Sequence, residues 1–302
     1  MLQNILKLPT QKPERFGVIL AFLGVLILTP DTLVIRLSEL DRWSLMGWRG
    51  FLMGAVSLFL WRVFLSRNPI KEWRTLKTWR GLVVILAFGM NSATFTLGIV
   101  ETSAIVVLTA VATMPVFAAI LSFVMLRERQ SWLSWLTIFL AMIGVAFVVW
   151  DGDNAIGSPN GSVVLGATFG VLTALGLAFT FTMSRKYRDL GILPAASLGA
   201  IMCGFIGLWV GDISSITKVP LWPVLTMGII ILPLSFTCLN LAPRYTTSAI
   251  VSLLMLLEMV MGPFWVWLGV GEEPTNLMIF GAGFVALVLA LHIFRTQWAG
   301  QP

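Results

Sequence analysis

Three ionisable residues stand where an ordinary surface charge would not: Asp31, Arg49 and Glu258 each lie inside a long apolar run. Placing such a group in hydrocarbon costs about 2.5–3.5 kcal/mol on insertion scales, so each requires a partner or a task. Glu258 lies near the middle of its run, about 18 Å from the start at 1.5 Å per helical residue. A carboxyl at that depth suits proton exchange or capture of a cationic group; it can equally be a protonated structural residue bonded to a neighbouring helix. Asp31 and Arg49 carry opposite charges at matching depths in consecutive runs, which suits an ion pair. The sharper alternative is that Arg49 receives a substrate carboxylate and Asp31 holds it between cycles. Asn91, also near mid-run, is either a helix–helix hydrogen bond or a polar group of a cavity. Trp48, Trp265 and Trp267 offer flat apolar faces to an aromatic or aliphatic moiety. Most of the 13 Trp residues lie near run ends, as an interfacial belt would place them.

The runs that hold these residues follow from composition. Of 302 residues, 58% are hydrophobic and 11% charged, with mean hydropathy +0.92. A soluble domain carries about 25% charged residues, so disorder, collagen and a disulfide scaffold are excluded and the chain reads as an integral membrane protein. A span needs about 20 apolar residues. Ten runs qualify: 16–37, 43–64, 81–100, 103–126, 132–150, 161–183, 194–210, 222–241, 246–270 and 275–294. The first follows basic residues as a signal peptide would, yet it is too long for one and has no small-x-small cleavage site. The expected fold is all-α, with ten transmembrane helices and the lipid bilayer as solvent.

The net charge of +6 sets topology under this reading and does not call for nucleic acid. With the N-terminus cytoplasmic, 16 of 20 basic residues fall inside, only Arg36, Arg42 and Lys218 fall outside, and Arg49 is intramembrane. Both termini are therefore expected to be cytoplasmic, in a cell (inner) membrane. Segment 66–80 spaces Ile70, Trp73, Leu76 and Trp79 every three residues between basic ones, as an interfacial anchoring helix would.

The two halves resemble one another. TSAIV occurs at 102–106 and again at 247–251, an offset of 145 that also aligns Met114 with Met259 and Glu128 with Glu273. The same offset sets Thr113 opposite Glu258, which makes Thr113 a further candidate for substrate or proton coupling, and the central charge breaks the symmetry. Two five-helix repeats, 16–150 and 161–294, joined by the polar stretch 151–161, follow. Five is odd, so the second repeat enters the membrane from the opposite side, the inverted construction common in secondary transporters.

The stretch TSAIVVLTAVATMPVFAAILSFVMLRER and its counterpart TSAIVSLLMLLEMVMGPFWVWLGVGEEPT resemble the signature of EamA domains of the drug/metabolite transporter superfamily. The shared features are a Thr–Ser start, a proline within the span and a terminal Glu. Here these are Thr102–Ser103, Pro115 and Glu128, then Thr247–Ser248, Pro263 and Glu273. The resemblance implies two tandem domains forming an alternating-access transporter of small metabolites, often an exporter. Pro115 and Pro263 do not align, so helix geometry is expected to differ between the halves. Glu128 and Glu273 are expected to serve capping or loop packing more than substrate contact.

The remaining pattern excludes other chemistry. Cys203 and Cys238 lie in apolar runs without ligand spacing, and a lone His292 cannot build a metal site. No HExxH or GxGD carboxylate pair supports an intramembrane enzyme, and no GxxxxGK[ST] loop or ATPase subunit is implied. No cofactor is expected, and nothing in the pattern specifies an oligomeric state. The expected partner is a small-molecule substrate such as an amino acid, moved by a secondary transporter with possible proton coupling through Glu258. A channel or non-transporting receptor is the alternative.

Overall fold

Proline, glycine and capping residues decide where the apolar runs become straight helices and where they break. A computed structural model of the chain describes residues 13–66, 68–128, 131–150, 161–273 and 275–297. Lys7, Lys12, Arg67, Arg129, the joining stretch 151–160 and the side chain of His292 lie outside the described residues.

Among the described residues, eight helices are long and apolar enough to cross a membrane. They are Glu14–Leu37, Arg42–Leu65, Trp79–Glu101, Ala104–Leu126, Val163–Lys186, Ile192–Val210, Leu221–Arg244 and Ser248–Val270. The chain is thus an all-helical, multi-pass membrane protein. The expected fifth and tenth runs are also helical, Trp132–Trp150 and Asn276–Gln297, and pack on one another.

The first span is two helices, α1 (Pro13–Leu28) and α2 (Asp31–Leu37), separated at Thr29–Pro30. Pro30 has no N–H for the carbonyl of Leu26 four residues earlier. The Thr29 hydroxyl donates to that carbonyl instead, at 3.0 Å. The second span is α3 (Arg42–Leu60), whose first turn is capped by Asp41 accepting from the backbone of Trp43 and Ser44. A short helix, α4 (Pro69–Leu76), follows. Its Trp73 stacks on Trp61 and its Glu72 accepts from the Trp61 indole, while Ile70 stays exposed. Leu76 turns into the bundle, so the expected single apolar face is divided between core and surroundings.

The third span, α5 (Trp79–Glu101), is unbroken. The fourth divides into α6 (Ala104–Val111) and α7 (Met114–Leu121), then a π-helical turn over Ser122–Leu126. Pro115 causes the break, and the Thr113 hydroxyl donates to the Ala110 carbonyl at 2.7 Å. The remaining elements are α8 (Trp132–Trp150), α9 (Val163–Lys186), α10 (Ile192–Val210), α11 (Leu221–Leu225), α12 (Leu232–Leu241), α13 (Ser248–Val270) and α14 (Asn276–Gln297). A π-helical turn joins α11 to α12. Pro263 lies inside α13 without breaking it, so the helix geometry differs from that at Pro115.

The closest crossing sets α3 against α10. Gly50 lies so near α10 that an added Cβ would stand 2.7 Å from the Ala200 carbonyl and 2.9 Å from the Gly204 nitrogen. Small residues allow such approach where lipid offers no hydrophobic drive between helices. Elsewhere α5 packs on α9, α1 on α12, the broken α6–α7 on α9, and α13 on α1 and α2.

Gly50→Ala is expected to destabilise the protein by about 1–3 kcal/mol through overpacking. Gly283→Ala, whose Cβ would meet nothing within 4 Å, is expected to be neutral or slightly stabilising. Thermal unfolding of both purified variants in one detergent checks the contrast.

Candidate functional site

Both helix breaks face the same interior space. Leu28 and Asp31, on either side of the Thr29–Pro30 break, line a cavity with Val111 from the end of α6. Arg49 and Met53 from α3, Asn91, Ser92 and Phe95 from α5, Thr173 and Leu177 from α9, and Met255 and Glu258 from α13 complete much of the wall. The cavity is narrow, with about 30 Å³ of water-accessible volume. That admits only a very few water-sized groups, so a larger occupant requires the surrounding helices to part.

The charges sit at its centre. Arg49 donates through Nη2 to Asp31 Oδ2, and the two side chains are 5% and 0% exposed. The equal depth expected of these residues thus brings them together across α2 and α3. Arg49 Nη1 donates to Thr96 Oγ1 at 3.1 Å, and the Thr96 hydroxyl in turn donates to the Ser92 carbonyl at 2.8 Å. The guanidinium also lies over the Phe95 ring, 5.2 Å from its centroid. Pairing, hydrogen bonding and an aromatic face together offset the cost of burying this cation.

Other groups at the cavity are less satisfied. Asp31 Oδ1, Arg49 Nε and Asn91 Oδ1 are buried without a hydrogen-bond partner among the described residues. Glu258 on α13 is buried at the cavity wall, within electrostatic range of Asp31 and Arg49. The Asn91 side chain faces Gly176 of α9, and Thr94 and Thr173 share a hydrogen bond of 2.8 Å between the same helices.

Three expected substrate-facing residues lie elsewhere. Thr113 forms part of the α6–α7 break and is absent from the cavity wall. Trp265 donates from Nε1 to Thr29 Oγ1 at 3.1 Å, tying α13 to the first helix break. Trp48 packs against the core with its indole nitrogen buried and unpartnered.

Two ion pairs tie helix ends together at opposite ends of the bundle. At the end of the first span, Arg36 Nε lies 2.9 Å from Glu272, just beyond α13. The same guanidinium donates to the carbonyls of Ile99 and Thr102 at the end of α5. Burial pushes the Glu272 carboxyl above its ordinary range, against the opposing pull of Arg36. At the other end, Glu128 beyond the fourth span lies 3.2 Å from Arg185 Nε near the end of α9.

Glu128 follows Arg127, a left-handed residue with φ +57, and Glu272 follows Gly271, with φ +75. The two acids therefore end their spans alike, whereas Glu273 is exposed. The π-helical turn before Arg127 accommodates one extra residue, which moves the correspondence one position from the ungapped alignment. Arg36, Glu272 and Arg185 were legible only as charges at span ends. Phe95, Met53 and Met255 carried no signal distinguishing cavity wall from core.

Residues 15–150 match the EamA-like transporter family. No curated protein matches the chain. One solved crystal structure of a protein superposes with a TM-score of 0.72 at 11% sequence identity, covering 95% of this chain and 99% of that one. At that identity the likeness concerns the fold alone.

Arg49→Met or Asp31→Asn alone is expected to cost about 3–5 kcal/mol, because each leaves an uncompensated buried group. The double variant Asp31→Asn/Arg49→Met should recover most of that loss. Thermal unfolding in detergent compares the three; a double variant no more stable than either single one contradicts the pairing energetics.

Proposed function

We propose that the chain is a secondary transporter that moves small organic metabolites, amino acids among them, by alternating access. The observation that carries this reading is a narrow, charged cavity lined by helices of both groups, with an ion pair at each end of the bundle. Each pair joins the first helix of one five-helix group to the fourth of the other: Arg36 to Glu272, and Arg185 to Glu128. Opening one pair while the other holds gives a route from the cavity to one side at a time.

The packing supports two repeats over 16–150 and 161–294. Exchanging the groups converts α5 on α9 into α12 on α1, and α6–α7 on α9 into α13 on α1–α2; both members of each exchange occur. The pairings α3 on α10 and α8 on α14 are unchanged by it. The EamA match over the first group supports a second, diverged EamA-like domain in the remainder. Ten crossings put both termini on one side, and the basic-residue distribution favours the cytoplasmic side of a cell (inner) membrane. Export is the direction we assign by family likeness.

Glu258 is the proposed coupling group: it lines the cavity close to the buried ion pair, where proton and substrate occupancy can be linked. The break at Thr29–Pro30 gives the adjoining helix a point at which to bend, and Trp265 couples that point to α13.

Reconstituted protein is expected to show saturable flux of a metabolite driven by an imposed pH gradient. Glu258→Gln should abolish the response to the gradient while leaving folding intact; unchanged pH dependence removes the coupling role. Ohmic conductance without saturation favours a channel instead.

Access can be tested separately. In a background carrying Cys203→Ser and Cys238→Ser, a Ser92→Cys variant reports on the cavity wall. Adding Arg36→Gln should raise its labelling by a membrane-impermeant maleimide several-fold from one face, and adding Glu128→Gln from the opposite face. Equal labelling from both faces in each variant contradicts the paired closures.

A further inference from the structure

We infer that the cavity recognises the ammonium group of its substrate through Asp31, Asn91 and Glu258, and that Arg49 does not take a substrate carboxylate. This deepens the transport reading and rests on it. The donors and acceptors at the site are unequal. Arg49 already donates to Asp31 and Thr96 and presents its face to Phe95. Its Nε is the one unpartnered buried donor among the described cavity residues.

Acceptors predominate. Asp31 Oδ1 and Asn91 Oδ1 are buried and unpartnered, on residues 0% and 4% exposed that line the cavity. Glu258, 3% exposed, adds a carboxyl from α13. Two carboxyl groups thus face one guanidinium.

A primary ammonium has three N–H donors and no acceptor, matching three acceptor-bearing side chains from three separate helices. An incoming carboxylate brings only acceptors. Arg49 has only Nε free for it, so a bidentate grip has to displace Asp31 and leave that carboxylate buried without its partner, a change that is strongly unfavourable. The size agrees: the water-accessible volume of about 30 Å³ suits a small polar head group, while the substrate's remainder requires parting of the apolar wall. Phe95 and Phe236 on that wall supply aromatic surface for the carbon skeleton beside the ammonium.

Three probes of one shape test the inference on the full chain: 3-phenylpropylamine, 3-phenylpropanol and 3-phenylpropionate. Isothermal titration of purified protein in detergent should give at least about tenfold tighter binding of the amine than of either other probe, as expected for hydrogen bonds to charged groups. Asn91→Leu should weaken amine binding several-fold and leave weak propanol binding unchanged. Asn91→Ser provides the same comparison if the leucine variant does not fold. Propionate binding as tightly as the amine, no binding by any probe, or undiminished amine binding in the folded Asn91 variant overturns the inference.

Flux in proteoliposomes separates this from failure of the transport reading. Saturable propionate flux without amine binding leaves a transporter and removes the ammonium site. Selective amine binding without flux of any probe retains the ammonium site and removes the transport reading.

Discussion

A bilayer core provides no water to satisfy a broken backbone hydrogen bond or a lone charge, so the protein must supply each partner itself. The region around Pro30 meets both demands within three residues. The Thr29 hydroxyl takes the carbonyl that proline leaves free, and Asp31 takes the guanidinium of Arg49 from the next span. Trp265 donates to the same Thr29 hydroxyl, so a residue of α13 is fixed to the break as well. The helices α2, α3 and α13 therefore meet around one locally irregular segment.

That segment also explains why the cavity lies there. A continuous helix turns its polar backbone inward on itself, whereas a break leaves side-chain and backbone groups to be satisfied by neighbours. The helix breaks at Pro30 and before Pro115 both border the cavity, while Pro263 leaves α13 continuous. The asymmetry is chemical as well as geometric: Glu258 has Thr113 as its counterpart at the offset of 145 residues. Close glycine contacts between α3 and α10 hold the neighbouring Arg49 beside this break. A closely packed helix pair thus carries the cation, and the broken helix carries its acid.

Much of this was legible because membrane burial makes charge rare. Asp31, Arg49 and Glu258 stood out by depth alone, and equal depth in consecutive antiparallel runs was enough to suggest the first pair. The Pro30 break has a local cause too, the N–H that proline lacks. Trp265 was less accessible to such reasoning, because its polar edge addresses a backbone irregularity in a distant part of the chain. Hydrophobic cavity lining was hidden for a physical reason: Phe95 or Met255 has the same character whether it faces a neighbour or a substrate space. The end pairs were hidden by their ordinary appearance. Arg36 and Arg185 sit near interfaces, where a basic residue requires no further explanation.

Glu272 shows how local geometry can displace a sequence correspondence without erasing its physical logic. An ungapped offset sets Glu128 opposite Glu273, but a π-helical turn precedes Arg127 and a regular α-helix precedes Gly271. The wider turn takes up one residue, so the acid immediately after the left-handed residue is Glu128 in one case and Glu272 in the other. Each then meets an arginine near the end of another span, Arg185 for Glu128 and Arg36 for Glu272. What repeats is the sequence of physical tasks, ending a span with a left-handed residue and presenting an acid across the bundle, even where the residue count does not.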